Sequence, residues 1–152
     1  MEASELLNII SRGESSKVQF KERMPHIESM AHEMVAFSNS DGGMIIFGVN
    51  DKTGDLNGLN FSEIASINSQ LANIASNNIL PPISVSSETV SVNGNNLVVV
   101  EIPKGTRKPY KDLEGGFYMR NGATAQIVLE NRELARLFTE GQWFLSDEIS
   151  KN

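Results

Sequence analysis

The sequence predicts an α+β fold in which helices pack on a single mixed sheet. Three patterns predict it: apolar residues at helical spacing over residues 26–39, a continuous apolar run over 44–49, and a hairpin pattern over 90–100. The 152 residues suit one domain with its own core, and the hydrophobic share of 39% is ordinary for a globular protein.

The N-terminal residues predict a short helix followed by a strand. Apolar residues recur over residues 5–10, and Gly13 then supplies a helix end. Residues 17–21 alternate between polar and apolar types. This alternation predicts a strand with Val18 and Phe20 facing inward.

A longer helix and a central strand come next. Over residues 26–39 the apolar positions follow the i, i+3, i+4, i+7 spacing of an amphipathic helix. Asp41, Gly42 and Gly43 end this helix, because paired glycines allow a tight entry into the next element. The run 44–49 is apolar on both faces, which is typical of a strand in the middle of a sheet.

The middle of the chain predicts a helix, a strand and a hairpin. Residues 62–75 place apolar side chains on one side of a helix. Pro81-Pro82 ends that helical unit and delivers the chain into a strand over residues 83–87. The hairpin over 90–100 has Asn93-Gly94 at its centre, a pair that tolerates the positive φ of a tight turn.

The C-terminal part predicts the last elements and the domain boundary. A strand pair flanks residues 114–116 and ends in 117–120, and a closing helix covers about 130–138. Neither a repeat nor a linker interrupts the chain. We therefore expect one domain over residues 1–144, with 145–152 as a flexible tail or the start of a following module.

Charge and composition exclude several classes of protein. The net charge of −6 argues against a broad surface that coats nucleic acid, and the absence of cysteine excludes disulfides and thiolate zinc sites. No stretch reaches the roughly 18 apolar residues that a membrane helix needs. The acidic N-terminus lacks the basic start of a secretion signal. We expect a cytoplasmic protein that has no membrane partner.

One segment departs from the acidic background. Residues 101–125 carry five basic and three acidic side chains, whereas residues 1–100 carry five basic and eleven acidic ones. A nucleic-acid contact in this segment would be local. The alternative is that these cations belong to an ordinary solvated loop.

Four segments, taken in order, carry a family resemblance. They are residues 14–21 (ESSKVQFK), residues 35–51 (VAFSNSDGGMIIFGVND), Gly58-Leu59, and Pro109-Tyr110 followed by residues 117–122 (FYMRNG). Together they resemble the Schlafen-type Alba-like (AlbA) family of nucleic-acid-binding domains, once grouped with divergent ATPases. The chain has no G-x-x-x-x-G-K-[ST] loop that would hold a nucleotide's phosphates.

The resemblance also implies where a nuclease site would lie, because some members of that family are metal-dependent RNA nucleases. The family's two opening glutamates and its last aspartate fall on Glu14, Gln19 and Asp51. Gln19 is a neutral amide, and Asn50 stands where the family often has another aspartate, so two anionic ligands for Mg²⁺ or Mn²⁺ are missing. We expect no cofactor. Glu14 and Asp51 would be catalytic residues and weak metal ligands, with Mg²⁺ or Mn²⁺, only in a nuclease.

The leading hypothesis is a non-catalytic DNA- or RNA-binding domain of a transcriptional regulator. Its predicted contacts are cations that hold phosphates and a tyrosine that stacks on a base: Lys21, Arg107, Lys108, Lys111, Tyr118 and Arg120. Tyr110 is a second stacking candidate. For Arg120 the alternative is an internal salt bridge.

A protein-interaction or oligomerisation module is the alternative from another class. It is favoured by the acidic net charge and by the apolar strand of the 90–100 hairpin. That strand could pair with its counterpart in a second copy across a two-fold axis. Such a homodimeric module would bind no nucleic acid.

Overall fold

The computed structural model describes residues 1–141, and there it contains four helices and eight strands. In chain order these are α1 (Ala3–Ser11), β1 (Val18–Lys21), α2 (Ile27–Asn39), β2 (Gly43–Phe47), α3 (Phe61–Asn77), β3 (Ile79–Leu80), β4 (Ser86–Val92), β5 (Asn95–Ile102), β6 (Lys111–Asp112), β7 (Tyr118–Asn121), β8 (Thr124–Ile127) and α4 (Asn131–Glu140). The α+β class is confirmed. The tail predicted over 145–152 lies outside the described residues.

Four strands form the main sheet in the order β1-β2-β5-β4. β1 and β2 are parallel, whereas β2 with β5 and β5 with β4 are antiparallel, so the sheet is mixed. β2 has a neighbour on each side and its last three residues are fully buried, as the apolar run predicted. Two small ribbons, β3 with β6 and β7 with β8, lie outside the main sheet.

Helices cover both faces of the main sheet. α2 and α3 cover one face, where Met34 packs in the same cluster as Ile45. α1 covers the other face, where Leu6 packs in a second cluster with Phe20 and Ile46. Successive strand residues point to opposite faces, so Ile45 and Ile46 belong to different clusters. None of the described helices combines the length and apolar character needed to cross a bilayer.

Local chemistry fixes the start of α3. The side chain of Asn60 accepts a hydrogen bond from the backbone nitrogen of Glu63 at 2.8 Å, and the Glu63 carboxylate accepts one from the Asn60 nitrogen at 3.1 Å. This reciprocal cap starts the helix at Phe61, one residue before the predicted start. Ile67 and Ile74 then face the core, as their spacing predicted.

The hairpin prediction is confirmed, and its outer strand is the polar one. Asn93 and Gly94 have φ values of 51° and 80°, the positive values that a tight turn requires. The apolar strand β5 lies inside the sheet, between β2 and β4. β4 is an outer strand, and its first four residues, Ser86–Thr89, are exposed.

The strand predicted over residues 83–87 is wrong at its start, since β4 begins only at Ser86. The backbone nitrogen of Ile83 donates to the carbonyl oxygen of Ala75 at 3.1 Å, so it is not available to a strand neighbour. The Ile83 side chain is buried in the α2–α3 core. This segment therefore caps the end of α3 before the sheet resumes.

The strand pair predicted around residues 114–116 is also wrong. β6 pairs with β3, and β7 pairs with β8. The Oδ1 atom of Asp112 accepts hydrogen bonds from the backbone nitrogens of Glu114 and Gly116 at 3.1 and 2.7 Å. These bonds close a local loop between β6 and β7.

Asn39, at the end of α2, bridges the backbone segments before and after that loop. Its Nδ2 atom donates to the carbonyl oxygens of Tyr110 and Tyr118, both at 2.9 Å. Its Oδ1 atom accepts from the backbone nitrogen of Tyr110 at 2.7 Å. The fully buried amide thus satisfies backbone groups that a direct strand pair would otherwise satisfy.

At both glycines after α2, a larger side chain would clash with neighbouring backbone atoms. Gly42 has a φ of +73°, and a Cβ atom there would lie 2.6 Å from the backbone nitrogen of Lys104. A Cβ atom on Gly43 would lie 2.5 Å from the carbonyl oxygen of Lys17. Both glycines therefore allow backbone segments to approach closely where the sheet begins.

Candidate nucleic-acid interface

Arg120 joins β7 to the loop before β1. Its Nη2 and Nε atoms donate to the carbonyl oxygens of Ser15 at 2.7 Å and Ser16 at 3.3 Å, and Nη1 donates to Oε1 of Gln19 at 3.0 Å. The guanidinium carbon lies 4.3 Å from the centre of the Phe37 ring, as in a cation–π contact. The alternative predicted for Arg120, an internal salt bridge, is replaced by bonds to neutral oxygen atoms.

The guanidinium keeps its charge and part of its hydrogen-bonding capacity. Burial lowers the pKa of Arg120, while the nearby carboxylates of Glu33 and Glu14 act in the opposite direction. A guanidinium stays protonated in proteins and carries five N–H donors. Three donors are used within residues 1–141, which leaves two that a phosphate could accept.

Glu14 and Gln19 are hydrogen-bonded to each other at the outer edge of β1. The Oε2 atom of Glu14 accepts from Nε2 of Gln19 at 2.6 Å and from the backbone nitrogen of Phe20 at 2.9 Å. The other end of the Gln19 amide accepts from Arg120. Glu14 and Gln19 therefore link the guanidinium to the strand edge.

The residues at the nuclease positions do not fit a divalent ion. The Gln19 oxygen faces a guanidinium, and a second cation beside it would be repelled. Asp51 lies in an exposed turn in which Asn50 accepts from the backbone nitrogens of Lys52 and Thr53. Among residues 1–141 no group of three His, Cys, Asp or Glu side chains could hold a metal ion.

Lys21 lies at the other end of β1 and has an acidic partner. Its Nζ atom is 2.9 Å from Oε1 of Glu33 on α2, and both side chains are mostly buried. Glu22, the next residue, accepts hydrogen bonds from the side chains of Asn50 and Asn57. The positive charge of Lys21 is thus offset by a carboxylate within the fold.

The cations of the basic segment differ in their exposure and in their partners. Lys108 is 4% exposed, and its Nζ atom lies 2.9 Å from Oε2 of Glu140. Arg107 is exposed, and its backbone nitrogen donates to the hydroxyl of the buried Tyr110 at 3.0 Å. Lys111 is exposed and lines a small groove together with Leu80 and Phe117. Neither Lys108 nor Tyr110 reaches the surface as a flat contact for nucleic acid.

Tyr118 stacks against a histidine of the fold. The rings of Tyr118 and His32 lie 4.1 Å apart at an angle of 20°, and Nε2 of His32 is 2.7 Å from Oδ2 of Asp112. Burial raises the pKa of Tyr118, and the charges of Asp112 and Glu114 raise it further. One face of the tyrosine ring is therefore occupied within the protein.

A groove that the sequence did not reveal opens beside the C-terminal end of α1, with a volume of about 740 Å³. We call it the α1 groove; its lining residues include Arg12, Lys17, Val18, Met44, Ser86 and Glu101. Arg12 and Lys17 are exposed, and neither forms an ion pair with any of residues 1–141.

Two cations of the loop between α1 and β1 and one cation of β7 lie at this loop. Arg12 begins this loop, Lys17 ends it, and the carbonyl groups that Arg120 binds belong to Ser15 and Ser16 between them. We call Arg12, Lys17 and Arg120 the basic rim. Of the six predicted contact residues, the structure places only Arg120 in this rim.

Position in the chain is the signal that could have identified Arg12 and Lys17. Both flank the junction between the first predicted helix and the first predicted strand, and side chains in such connections are usually exposed. Lys17 also lies inside the first family segment, ESSKVQFK. In the sequence these two cations are isolated, whereas residues 101–125 carry five.

A comparison with protein families decides the relationship. The model of the family described as Schlafen, AlbA_2 matches residues 14–128, which is well over half of the chain. The chain belongs to the Schlafen AlbA_2 family. The resemblance predicted from the four sequence segments is therefore confirmed.

Individual relatives support this assignment. An uncharacterised ATP-binding protein of Ureaplasma parvum is 27% identical over 131 residues, which are 80% of this chain and 37% of that relative. The N-terminal domain of a RecG-related protein from Nitrosomonas europaea is 27% identical with a TM-score of 0.59, covering 86% of this chain and 96% of that one. The DIP2311 protein of Corynebacterium diphtheriae shares the fold, with a TM-score of 0.56 and 18% sequence identity. The match covers 82% of this chain and 29% of the DIP2311 chain.

Proposed function

We propose that this Schlafen AlbA_2 domain binds DNA or RNA without cutting it, and that the basic rim holds the phosphates. One observation carries the proposal: Arg12, Lys17 and Arg120 meet at one loop, and the first two have no acidic partner among residues 1–141. Cations without partners on a chain of net charge −6 favour a focused contact with an anionic polymer.

The relatives support a nucleic-acid partner. The similar domain from Nitrosomonas europaea belongs to a protein whose name places it among RecG-related ATP-dependent DNA helicases. A helicase acts on nucleic acid, and an accessory domain that holds the strand would serve such a protein. Membership of a transcriptional regulator and a cytoplasmic location stay predictions.

The two alternatives have less support. For a nuclease, Gln19 is engaged by Arg120 and Glu14, so the amide oxygen does not face an open metal position. For an oligomerisation module, the apolar strand β5 lies inside the sheet, and the outer strand β4 begins with exposed polar residues. A homodimer through the apolar strand would require the hairpin to open.

The salt dependence of binding tests the proposal. We would measure fluorescence anisotropy of labelled single-stranded DNA and RNA over a range of salt concentrations. Wild type should bind with an affinity that falls as salt rises, and the double variant Arg12→Ser/Lys17→Ser should lower the slope of log K against log[salt] by about 1.4.

A matched control removes two exposed cations elsewhere. Lys52 lies in the turn after β2 and Arg132 lies on α4, and both are exposed. The double variant Lys52→Ser/Arg132→Ser has the same net charge as the test variant and should keep the wild-type slope. Equal slopes for all three proteins would overturn the assignment of the rim, and an absence of salt-dependent binding by wild type would overturn the proposed function.

A further inference from the structure

The floor of the α1 groove is a row of residues that no helix covers. Val18, Met44, Glu101 and Ser86 are partners in register across the four strands of the main sheet. Because residues in register share a face, their side chains all point to the α1 side. In the neighbouring row Phe20, Ile46 and Val99 are buried on the α1 side, whereas this row is half-buried or exposed. The helix stops one row short of the end of the sheet.

The shape and chemistry of this groove suit one flat ring. Val18 and Met44 provide an apolar surface on which a base could stack, and a thioether packs favourably against an aromatic ring. Arg12 and Lys17 border the groove and could hold the phosphates on either side of that base. Bases inside a duplex are stacked and paired, so only an unpaired base could reach the floor.

Glu101 gives the groove a chemical preference. It supplies the single carboxylate among the groove's lining residues, is exposed, and accepts no side-chain hydrogen bond within residues 1–141. An ionised carboxylate only accepts hydrogen bonds, and its two oxygens match two adjacent N–H donors. Guanine presents such a pair on its Watson–Crick edge. Thymine and uracil present one N–H between two carbonyl oxygens, which a carboxylate would repel.

We propose that the α1 groove binds one unpaired base of a single strand and prefers guanine over thymine or uracil, with Glu101 accepting from the guanine edge. This inference rests on the proposed nucleic-acid binding and specifies the form of the ligand. The base would lie on Val18 and Met44, and its flanking phosphates would lie beside Arg12 and Lys17.

Three probes of equal length test the preference. They are an oligothymidylate of about 12 nucleotides, the same strand with one central guanine, and the blunt duplex of the latter. By fluorescence anisotropy, the guanine strand should bind about tenfold more tightly than oligothymidylate. The duplex should bind more weakly than either. A parallel pair, oligouridylate with and without one guanine, distinguishes RNA from DNA as the source of the base.

Two variants assign the preference to the groove. Glu101→Gln should lower the ratio of the affinities for the guanine strand and for oligothymidylate to about one, since the amide no longer offers two acceptors. Ser86→Trp should fill the groove from an exposed position and weaken the binding of all single strands. Its control is Ser91→Trp, an exposed site on the opposite face of the same strand β4, which should bind like wild type.

Some results would overturn this inference and leave the proposed function intact. These are salt-dependent binding with equal affinity for the two strands, equal affinity for strand and duplex, or no effect of Ser86→Trp. An absence of salt-dependent binding to every probe would overturn both. Circular dichroism of each variant establishes that a lost preference does not come from lost folding.

Discussion

The two sides of the main sheet use their polar residues in opposite ways. On the α2 side the polar groups are engaged with one another: Gln19 with Arg120 and Glu14, Lys21 with Glu33. On the α1 side the groove is bordered by Arg12 and Lys17, for which residues 1–141 provide no ion-pair partner, and it carries the exposed Glu101. One side holds the fold together, and the other leaves charge available to a ligand.

This difference shows that a family segment can be recognisable for structural reasons alone. Asn39, Gly42 and Gly43 occupy the most recognisable segment, and each has a role in packing or backbone bonding. A residue that satisfies buried backbone groups is costly to replace, whatever the ligand. The carbonyl oxygen of Lys17 accepts from the backbone nitrogen of Met44, but the exposed side chains of Arg12 and Lys17 have no ion-pair partner among residues 1–141.

The largest expected effect is on stability, at the α2 side. Asn39→Ala leaves the backbone groups of Tyr110 and Tyr118 without their partner, so the free energy of unfolding should fall by about 3 kcal/mol. Urea denaturation measures this change. Asn121→Ala, which removes an exposed amide bonded to Gln126, is the control and should cost less than about 0.5 kcal/mol. Similar losses in both variants would contradict a structural role for Asn39.

Arg120 has a structural role through its hydrogen bonds and a proposed role in phosphate binding, and two variants separate these roles. Arg120→Ala should lower the free energy of unfolding by about 1.5 kcal/mol and the salt slope of oligonucleotide binding by about 0.7, because both bonds and charge are lost. Arg120→Lys should keep the slope but not the stability, since lysine cannot reproduce the planar fork. If Arg120→Ala left the affinity unchanged at low salt, Arg120 would have no place in the basic rim.

A smaller effect is expected at high pH, again on the α2 side. Because burial raises the pKa of Tyr118 in the folded protein, folding favours the protonated hydroxyl. The corresponding stability is present below pH of about 10 and is lost as the pH rises through the raised value. Thermal unfolding across this range should show a smaller loss for Tyr118→Phe than for wild type. Equal losses in the two proteins would contradict this assignment.

The smallest expected effect is that of divalent metal, which should be absent. Since Gln19 faces Arg120 and Asp51 lies in a separate exposed turn, Mn²⁺ should leave the melting temperature unchanged and labelled RNA intact. The assay compares Mn²⁺ with a chelator and includes Asp51→Ala. Cleavage that requires Mn²⁺ and disappears in Asp51→Ala would restore the nuclease alternative.

Periodic features of the fold were predictable, and features that depend on tertiary contacts were not. The helical stripe of α2, the apolar run of β2 and the Asn93-Gly94 turn are local patterns, and the structure confirms all three. The partners of β6 and β7 were mispredicted, because they depend on the buried amide of Asn39, distant in sequence. No local pattern reveals that contact.

The candidate site was less predictable than the fold for a related reason. Whether a cation is available depends on which carboxylate lies beside it: Lys108 meets Glu140, and Lys21 meets Glu33. The most basic stretch of the sequence therefore includes Lys108, whose side chain is buried beside a carboxylate. The α1 groove depends on where α1 ends over the sheet, and that position follows from packing rather than from any motif.

A backbone-amide NMR titration of the domain with a single-stranded oligonucleotide tests the central claim most directly. We expect the largest shift changes at residues 12–18, 43–44, 84–86 and 101–103, which surround the α1 groove. Residues 50–57 and 108–112 should change little. Changes concentrated at residues 50–57 or 108–112, with the α1 groove unaffected, would contradict the assignment of ligand binding to the α1 side.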